Sequence, residues 1–384
     1  MSFLRSDLHQ LNAYVSHPGG AANTPVDILD TNESPYDLPA ALKAKLAAIY
    51  AENIETNRYP DGGHGQLKIS IADYVNQSAG LEQAVVTATN ISVGNGSDEL
   101  IRSILIATCL GGEGSVLVAE PTFSMYRILA TTLGVASQAI ARNLDDFSMD
   151  LDAAQQAIAQ TQNPPVRVVF VVHPNSPTGQ CLTNTEVEWL RSLPENILVV
   201  VDEAYFEFSQ QTLVAEILTR PNWLITRTFS KAFRLAALRV GYAVGQPSII
   251  TALEKVRLPY NLPSFSQQAA LLALENAETL LATIPETQQE CQQLSQHLRS
   301  LPLVEVWHSD ANFLHVRLKP DGRQTQASQL TQLAAAMKAK GSLIRHTGGG
   351  LRISIGTPAE NQRTLSNFVD CVKSQIESVE SIQL

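Results

Sequence analysis

Ile197-Leu198-Val199-Val200-Val201-Asp202-Glu203-Ala204-Tyr205 is the stretch on which the reading of this chain turns. Five apolar residues, four of them β-branched, run without interruption and then stop at an acid. A strand with one wet face would alternate; an unbroken run belongs to a strand covered on both faces. Similar runs stand at Ser115–Ala119, Val166–Val172, Trp223–Thr226 and Val240–Val244. Helical segments are expected between several of them, at about 97–110, 122–133 and 183–193. Alternation of this kind predicts an α/β fold with a mainly parallel sheet between helix layers. The ligand site is then expected beyond the carboxyl ends of the strands.

Outward from this centre the pattern changes twice. Residues 1–37 read as an irregular arm, broken by His17-Pro18-Gly19-Gly20 and Ser34-Pro35. Helices are expected at about 39–52 and 66–79, separated by the polar loop Asn57–Gly65. After residue 265 the chain reads as helical from Ser266 to about Ser300. Strand-like pieces at 303–307, 312–317 and Leu351–Ile355 follow, with helices at about 324–340 and 358–376. This α+β tail predicts a second, smaller domain. The division expected is an arm at 1–37, a large domain at 38–262 and a small one at 263–384, with Pro259 and Pro263 near the boundary.

The formal net charge of -10 argues against nucleic acid or an anionic membrane as partner. An anionic substrate would have to be drawn by a few local Arg or Lys side chains. Cys109, Cys181, Cys291 and Cys371 show no metal-ligand spacing and read as reduced thiols. Met1–Gln10 has no apolar run of the kind a signal peptide needs, and no stretch reaches the ~20 apolar residues of a membrane helix. A cytoplasmic protein is expected.

Chemically capable residues follow one strand after another. Gly94-Asn95-Gly96-Ser97-Asp98-Glu99 leads into a helix, either as an anion site made of backbone N–H groups or as a turn capped by Ser97. His173-Pro174-Asn175-Ser176-Pro177-Thr178-Gly179 can be read as a loop stiffened by proline. Asp202 ends a buried strand and needs a positive partner, either an arginine or the protonated ring nitrogen of a cofactor. Thr228, Ser230 and Arg239 surround Lys231 with two hydroxyls and a guanidinium, a set suited to phosphate.

Together, Asp202-Glu203-Ala204-Tyr205, Ser230-Lys231 and Arg239 resemble the signature of fold-type I pyridoxal-5′-phosphate (PLP) aminotransferases. The similarity runs from Asn32-Glu33 to Leu351-Arg352-Ile353. Asn32-Glu33-Ser34-Pro35, Arg58-Tyr59-Pro60, Gly96-Ser97-Asp98-Glu99 and Glu120-Pro121-Thr122-Phe123 resemble the histidinol-phosphate aminotransferase subfamily in particular. The resemblance implies an aspartate-aminotransferase-like fold and a PLP cofactor bound covalently by Lys231. It implies that Asp202 holds the ring nitrogen and Tyr205 the phenolic oxygen. The cofactor's phosphate would fall to Ser97, Asp98 and the Gly96 turn, with Thr228, Ser230 and Arg239, and Phe123 would stack on its ring. Tyr59 would reach the phosphate from a partner subunit, which implies a homodimer with shared sites. Where the family has Asn before Pro-Thr-Gly this chain has Ser176, preceded by Asn175, so the second contact to the phenolic oxygen falls to one of these or to Tyr205.

For the substrate, the resemblance implies anion binding by Arg352 and Arg345, with Tyr14 and Asn32 in the same pocket. The implied reaction is transamination between histidinol phosphate with 2-oxoglutarate and imidazole acetol phosphate with glutamate. Threonine-phosphate decarboxylases and aromatic aminotransferases share most of these motifs. A PLP-fold regulator would need a DNA-binding module, and residues 1–37 hold no basic helix-turn-helix.

Overall fold

A computed structural model describes residues 3–7, 26–81, 85–319 and 326–380. Its first strand, β1 (Asp27–Ile28), is short. Seven strands of one sheet follow: β2 (Ile91–Asn95), β3 (Ser115–Glu120), β4 (Ser137–Ala141), β5 (Val166–Val172), β6 (Leu198–Asp202), β7 (Trp223–Thr228) and β8 (Val240–Gly245). Their order is β2-β8-β7-β6-β5-β3-β4. β3 to β7 pair in parallel, whereas β8 runs antiparallel to both β7 and β2. The architecture is the mainly parallel α/β sheet expected. β4 was not foreseen, because its Ser-Gln-Ala-Ile-Ala is a half-exposed edge strand with no apolar run.

Side chains alternate across the sheet, so each unbroken run feeds two cores. Leu117, Val169, Val199, Val201, Trp223 and Ile225 pack with helices Ala40–Asn53, Gly65–Ser78 and Ser264–Glu275. Val116, Val118, Val168, Phe170, Val200 and Leu224 pack on the other side, with Ser97–Thr108, Met125–Leu133 and Pro247–Val256.

The helical stretch expected from Ser266 to Ser300 is in fact three helices, Ser264–Glu275, Ala277–Leu281 and Ile284–Arg299. Pro285 has no N–H to continue a preceding helix but fits the first turn of a new one. The first two of these helices contribute Ala269, Ala270, Leu272, Ala273 and Leu280 to the core of the large sheet.

Further on come β9 (Val304–Val306), β10 (Phe313–Leu318), β11 (Ser342–Leu343), β12 (Arg345–Thr347) and β13 (Gly350–Ser354). β11 pairs in parallel with β1, joining Asp27 to Ser342. The other four form an antiparallel sheet in the order β12-β13-β10-β9. One face of it, with Leu314, Val316, Leu351 and Ile353, packs on helices Ile284–Arg299, Gln326–Ala339 and Pro358–Glu380. The register puts Arg345, Arg352 and His315 in one row on the opposite face, with Arg317 two residues along β10.

Alternation also sorts the chemistry at the strand ends. Asp202 and Thr228 fall on one side of the sheet, Glu203 and Arg227 on the other. Arg227 and Glu203 form a fully buried ion pair at 2.8 Å. Arg227 also donates to Thr212 at 2.8 Å and lies 3.7 Å over the Phe206 ring. Removing one partner strands the other charge in the core. Arg227→Met should lower the unfolding free energy by about 3–5 kcal/mol in denaturant titration. A loss below about 1 kcal/mol, the range of an exposed pair, would show that this pair does not hold the strand ends.

Candidate active site

The carboxyl ends of β5, β6 and β7 open into a cavity of about 230 Å³, closed on its far side by β12 and β13. Its lining includes Asp202, Tyr205, Lys231, Phe123, Ser176, Arg345 and Arg352.

Lys231 follows β7 and its Nζ donates to the Thr31 carbonyl at 2.7 Å. Burial holds its pKa below the usual lysine value, with Arg352 and Arg239 acting the same way and Tyr205 and Glu33 opposing. The depressed pKa favours the neutral amine that a nucleophilic lysine requires.

Asp202 ends β6 and is buried. Tyr126 donates to its Oδ2 at 2.7 Å and the Ala204 N–H to its Oδ1 at 3.2 Å. Neither is a cation; the arginine at these strand ends serves Glu203 on the other face. Burial pushes the Asp202 carboxyl up to about 6, against the pull of Tyr126 and Ala204. A buried acid held only by neutral donors suits a cationic ligand atom. Tyr126 escaped the sequence reading. It sits in the first turn of its helix, stacks on Phe170 at 4.6 Å and meets Phe123 edge-on at 5.6 Å. Its one sequence signal is a spacing of three residues from Phe123, about one helical turn.

Tyr205 follows Asp202 and accepts a hydrogen bond from the Asn32 side chain at 2.9 Å. Asn32 is itself held by Ser354 of β13, whose hydroxyl donates to its Oδ1 at 3.0 Å. Asn32 therefore reaches the site through Tyr205.

An anion cup lies at one end of the cavity. Ser97 and Asp98 begin the helix Ser97–Thr108, where backbone N–H groups have no partner within the helix. Thr228 and Ser230 add hydroxyls, and Arg239 binds Ser230 Oγ at 3.3 Å and Asp98 at 3.2 Å. Gly96 does not line the cavity, but it makes the cup possible. Its φ is +77°, and a Cβ there would run into the Arg239 guanidinium.

At the other wall, Arg345 of β12 and Arg352 of β13 are directly opposite each other. Both line the cavity, so an anion there can meet two guanidiniums. Arg352 donates to Ser176 Oγ at 3.1 Å and to the Asp30 carbonyl at 2.6 Å. Its neighbour His315 adds no charge, because burial first, then Arg317 and Arg352, push its pKa down to about 3.

Of the two residues before Pro177, Ser176 lines the cavity and Asn175 does not. The Asn175 amide instead donates to Pro121 O at 3.1 Å and Thr178 Oγ1 at 2.7 Å, and accepts from Thr122 at 3.0 Å. Tyr59 stands outside the cavity, 80% exposed and stacked 4.6 Å from Tyr260. Tyr14 lies outside the described residues. All four cysteines are free thiols. Among the described residues, no group of three His, Cys, Asp or Glu could hold a metal, and no helix is long and apolar enough to cross a membrane.

These donors fit pyridoxal phosphate: an amine, a buried acid for the ring nitrogen, a phenol, an aromatic wall and a phosphate cup. Comparison with known proteins points the same way. Residues 25–368 match the family described as aminotransferase class I and II. The chain is 60% identical over 372 residues to histidinol-phosphate aminotransferase 2 of Nostoc sp., covering 96% of this chain and 97% of that protein. It is 56% identical to the histidinol-phosphate aminotransferase of Trichodesmium erythraeum, covering 96% and 98%. The fold is similar to that of histidinol-phosphate aminotransferase from Sinorhizobium meliloti in complex with pyridoxal-5′-phosphate (TM-score 0.78, 22% identity, 91% and 92% covered). It is also similar to L-threonine-O-3-phosphate decarboxylase from Porphyromonas gingivalis (TM-score 0.72, 20% identity, 91% and 100% covered), so fold alone does not select the reaction.

The isolation of Asp202 has a measurable consequence in protein prepared without cofactor. The folded chain holds the Asp202 proton more tightly than the unfolded chain, so protonation stabilises the fold. That contribution is full below about pH 4 and is lost as pH rises through about 6. A rise from 3.8 to about 6 corresponds to roughly 3 kcal/mol. Asp202→Asn, which cannot ionise, should gain up to about that much stability relative to the unmodified protein between pH 4 and 7. Denaturant titrations across this range check it, and parallel pH profiles for the two proteins would show that Asp202 is not isolated.

Proposed function

The chain belongs to the aminotransferase class I and II family, and on that premise we propose that it is a histidinol-phosphate aminotransferase of histidine biosynthesis. It exchanges amino groups between histidinol phosphate with 2-oxoglutarate and imidazole acetol phosphate with glutamate. The observation that carries the substrate choice is the Arg345–Arg352 pair, opposed across two strands at the cavity wall. Histidinol phosphate has no α-carboxylate, so its phosphate must supply the charge these guanidiniums neutralise. The carboxylates of glutamate and 2-oxoglutarate suit the same planar forks. High identity to the enzymes of Nostoc sp. and Trichodesmium erythraeum supports the same reading.

Pyridoxal phosphate, when bound, supplies an electron-withdrawing ring that makes the proton on the amine-bearing carbon of the substrate acidic. Lys231 would hold the cofactor covalently and, as a neutral amine beside the reacting carbon, would move that proton. Asp202, as an anion fixed by Tyr126, would keep the ring nitrogen protonated. Tyr205, held by Asn32, would bind the phenolic oxygen. Phe123 would cover the ring. Ser97, Asp98, Thr228, Ser230 and Arg239 would hold the phosphate, and Tyr14 would close over the substrate. Ser176 serves Arg352 through its hydroxyl and in this way orients the anion site.

A homodimer in the cytoplasm completes the proposal. The Tyr59–Tyr260 stack is an aromatic pair left on the surface of one chain, suited to cover by a second copy. Tyr59 would then reach the partner's cofactor phosphate.

Arg345→Ala tests the substrate. A charge-assisted hydrogen bond is worth ~1.5–3 kcal/mol, so kcat/KM for histidinol phosphate should fall roughly ten- to a hundredfold. Dephosphorylated histidinol should be a poor substrate from the start and lose little. Equal losses for both compounds would mean Arg345 is structural, and release of CO2 from threonine phosphate without an oxo acid would identify a decarboxylase instead.

Site sharing is tested by mixing subunits. A Lys231→Ala chain paired with a Tyr59→Phe chain gives one site lacking both groups and one site intact. Activity above both parent homodimers is expected, whereas verified heterodimers that recover nothing would mean each site is built from a single chain.

A further inference from the structure

Arg317 lies on the same face of the small sheet as Arg352 and Arg345, but it does not line the cavity. Its Nε donates to the Gly349 carbonyl at 2.9 Å and its Nη2 to the Gly348 carbonyl at 3.4 Å. Those two glycines form the turn between β12 and β13, the strands that carry Arg345 and Arg352. The guanidinium also lies 5.0 Å from the centre of the Phe147 ring and 5.2 Å from that of Trp307. The two rings are 4.9 Å apart, and the Trp307 indole is fixed by donating to the Asp145 carbonyl at 2.7 Å. One cation thus joins the hairpin turn to the loop that follows β4.

The turn needs such a brace for two reasons. Gly348 and Gly349 have φ of +61° and +70°, and glycine pairs leave the backbone many alternatives. The two legs also carry Arg345 and Arg352 at opposed positions, so the conformation of the turn sets where both side chains stand. The turn is seated as well as held, since a Cβ on Gly348 would lie 2.5 Å from Pro177 Cγ and 3.0 Å from Pro121 Cβ. Both prolines belong to loops that bring Ser176, Thr122 and Phe123 to the cavity. A small shift of the turn therefore moves Arg345 and Arg352 relative to the cavity floor.

We propose that Arg317 is a positioning residue: it clamps the Gly348–Gly349 turn and thereby sets the affinity of the Arg345–Arg352 pair for the anionic substrate, without touching that substrate. The inference deepens the reading of this wall as the substrate's anion site and rests on it. Arginine is required because one planar fork serves two successive carbonyls while stacking on aromatic faces, and a lysine ammonium cannot do both.

The test uses Arg317→Met and Arg317→Lys in the cofactor-loaded enzyme. KM for histidinol phosphate and the inhibition constant for inorganic phosphate should both rise about five- to tenfold, the scale of coupling between neighbouring residues. Turnover at saturation should change by less than about twofold, because ground-state binding is what loosens. Cofactor absorbance should be retained. Lysine should fail to rescue, and since it keeps a cation beside the rings it also covers the case in which the Met variant does not fold. In an Arg345→Ala background, Arg317→Met should add little further loss. Unchanged KM and phosphate inhibition, a fall in turnover alone, or full additivity with Arg345→Ala would each overturn the assignment. If the unmodified enzyme does not use histidinol phosphate, the substrate reading fails by itself. A raised KM for glutamate in Arg317→Met would then still uphold the brace, and an unmoved one would end it.

Discussion

A sheet covered on both faces leaves polar chemistry only one place to go, the ends of its strands. In this protein that constraint governs the site. Along β5, β6 and β7 the side chains are buried, apart from half-buried Arg167 and Leu198 near the amino ends of β5 and β6, and no chemically capable group reaches solvent between there and the last residues. Asp202, Ser176, Thr228 and Lys231 all come at or just after those ends, where the chain leaves the layers. Because strands β3 to β7 run the same way, these groups meet at one edge of the sheet and not at two.

The two-residue period then decides which acid does what. Asp202 and Glu203 are neighbours in sequence, yet they face opposite sides of the sheet. Glu203 is neutralised by Arg227 and belongs to the core. Among the described residues Asp202 has only neutral donors, which leaves a buried carboxylate with no cation beside it. Such a group is costly in a structural role and suited to a cationic ligand atom. The sequence reading expects a positive partner for Asp202, and the arginine at these strand ends belongs to its neighbour Glu203.

The small sheet solves the complementary problem. One of its faces is an ordinary apolar core, and the other carries Arg345, Arg352, Arg317 and a neutral His315. Closing that cationic face over the strand ends makes a cavity with a cup of hydroxyls and helix N–H groups at one end and an arginine pair at the other. The segment around Asn32 binds the two together, since it hydrogen-bonds Tyr205 beside one sheet and Ser354 of the other.

The sequence alone determined the layered α/β sheet, the strand ends that carry chemistry, and the residues Asp202, Tyr205, Lys231 and Arg239. The sheet and its ends follow from local runs, because a buried strand writes its burial directly into its composition, whereas the four residues are singled out by the resemblance to PLP aminotransferases. Edge strand β4, the break at Pro285 and the short strand β12 were not legible, because none has a run long enough to carry a period. Only the tertiary structure paired Tyr126 with Asp202, gave Ser176 to Arg352 and turned Asn175 away from the cavity. It alone set Arg345 opposite Arg352, with Arg317 on their turn. Each of these contacts joins elements remote in sequence, and their geometry depends on how the strands pair and the loops pack. A sequence states which side chains exist, but which of them meet is decided when the layers close.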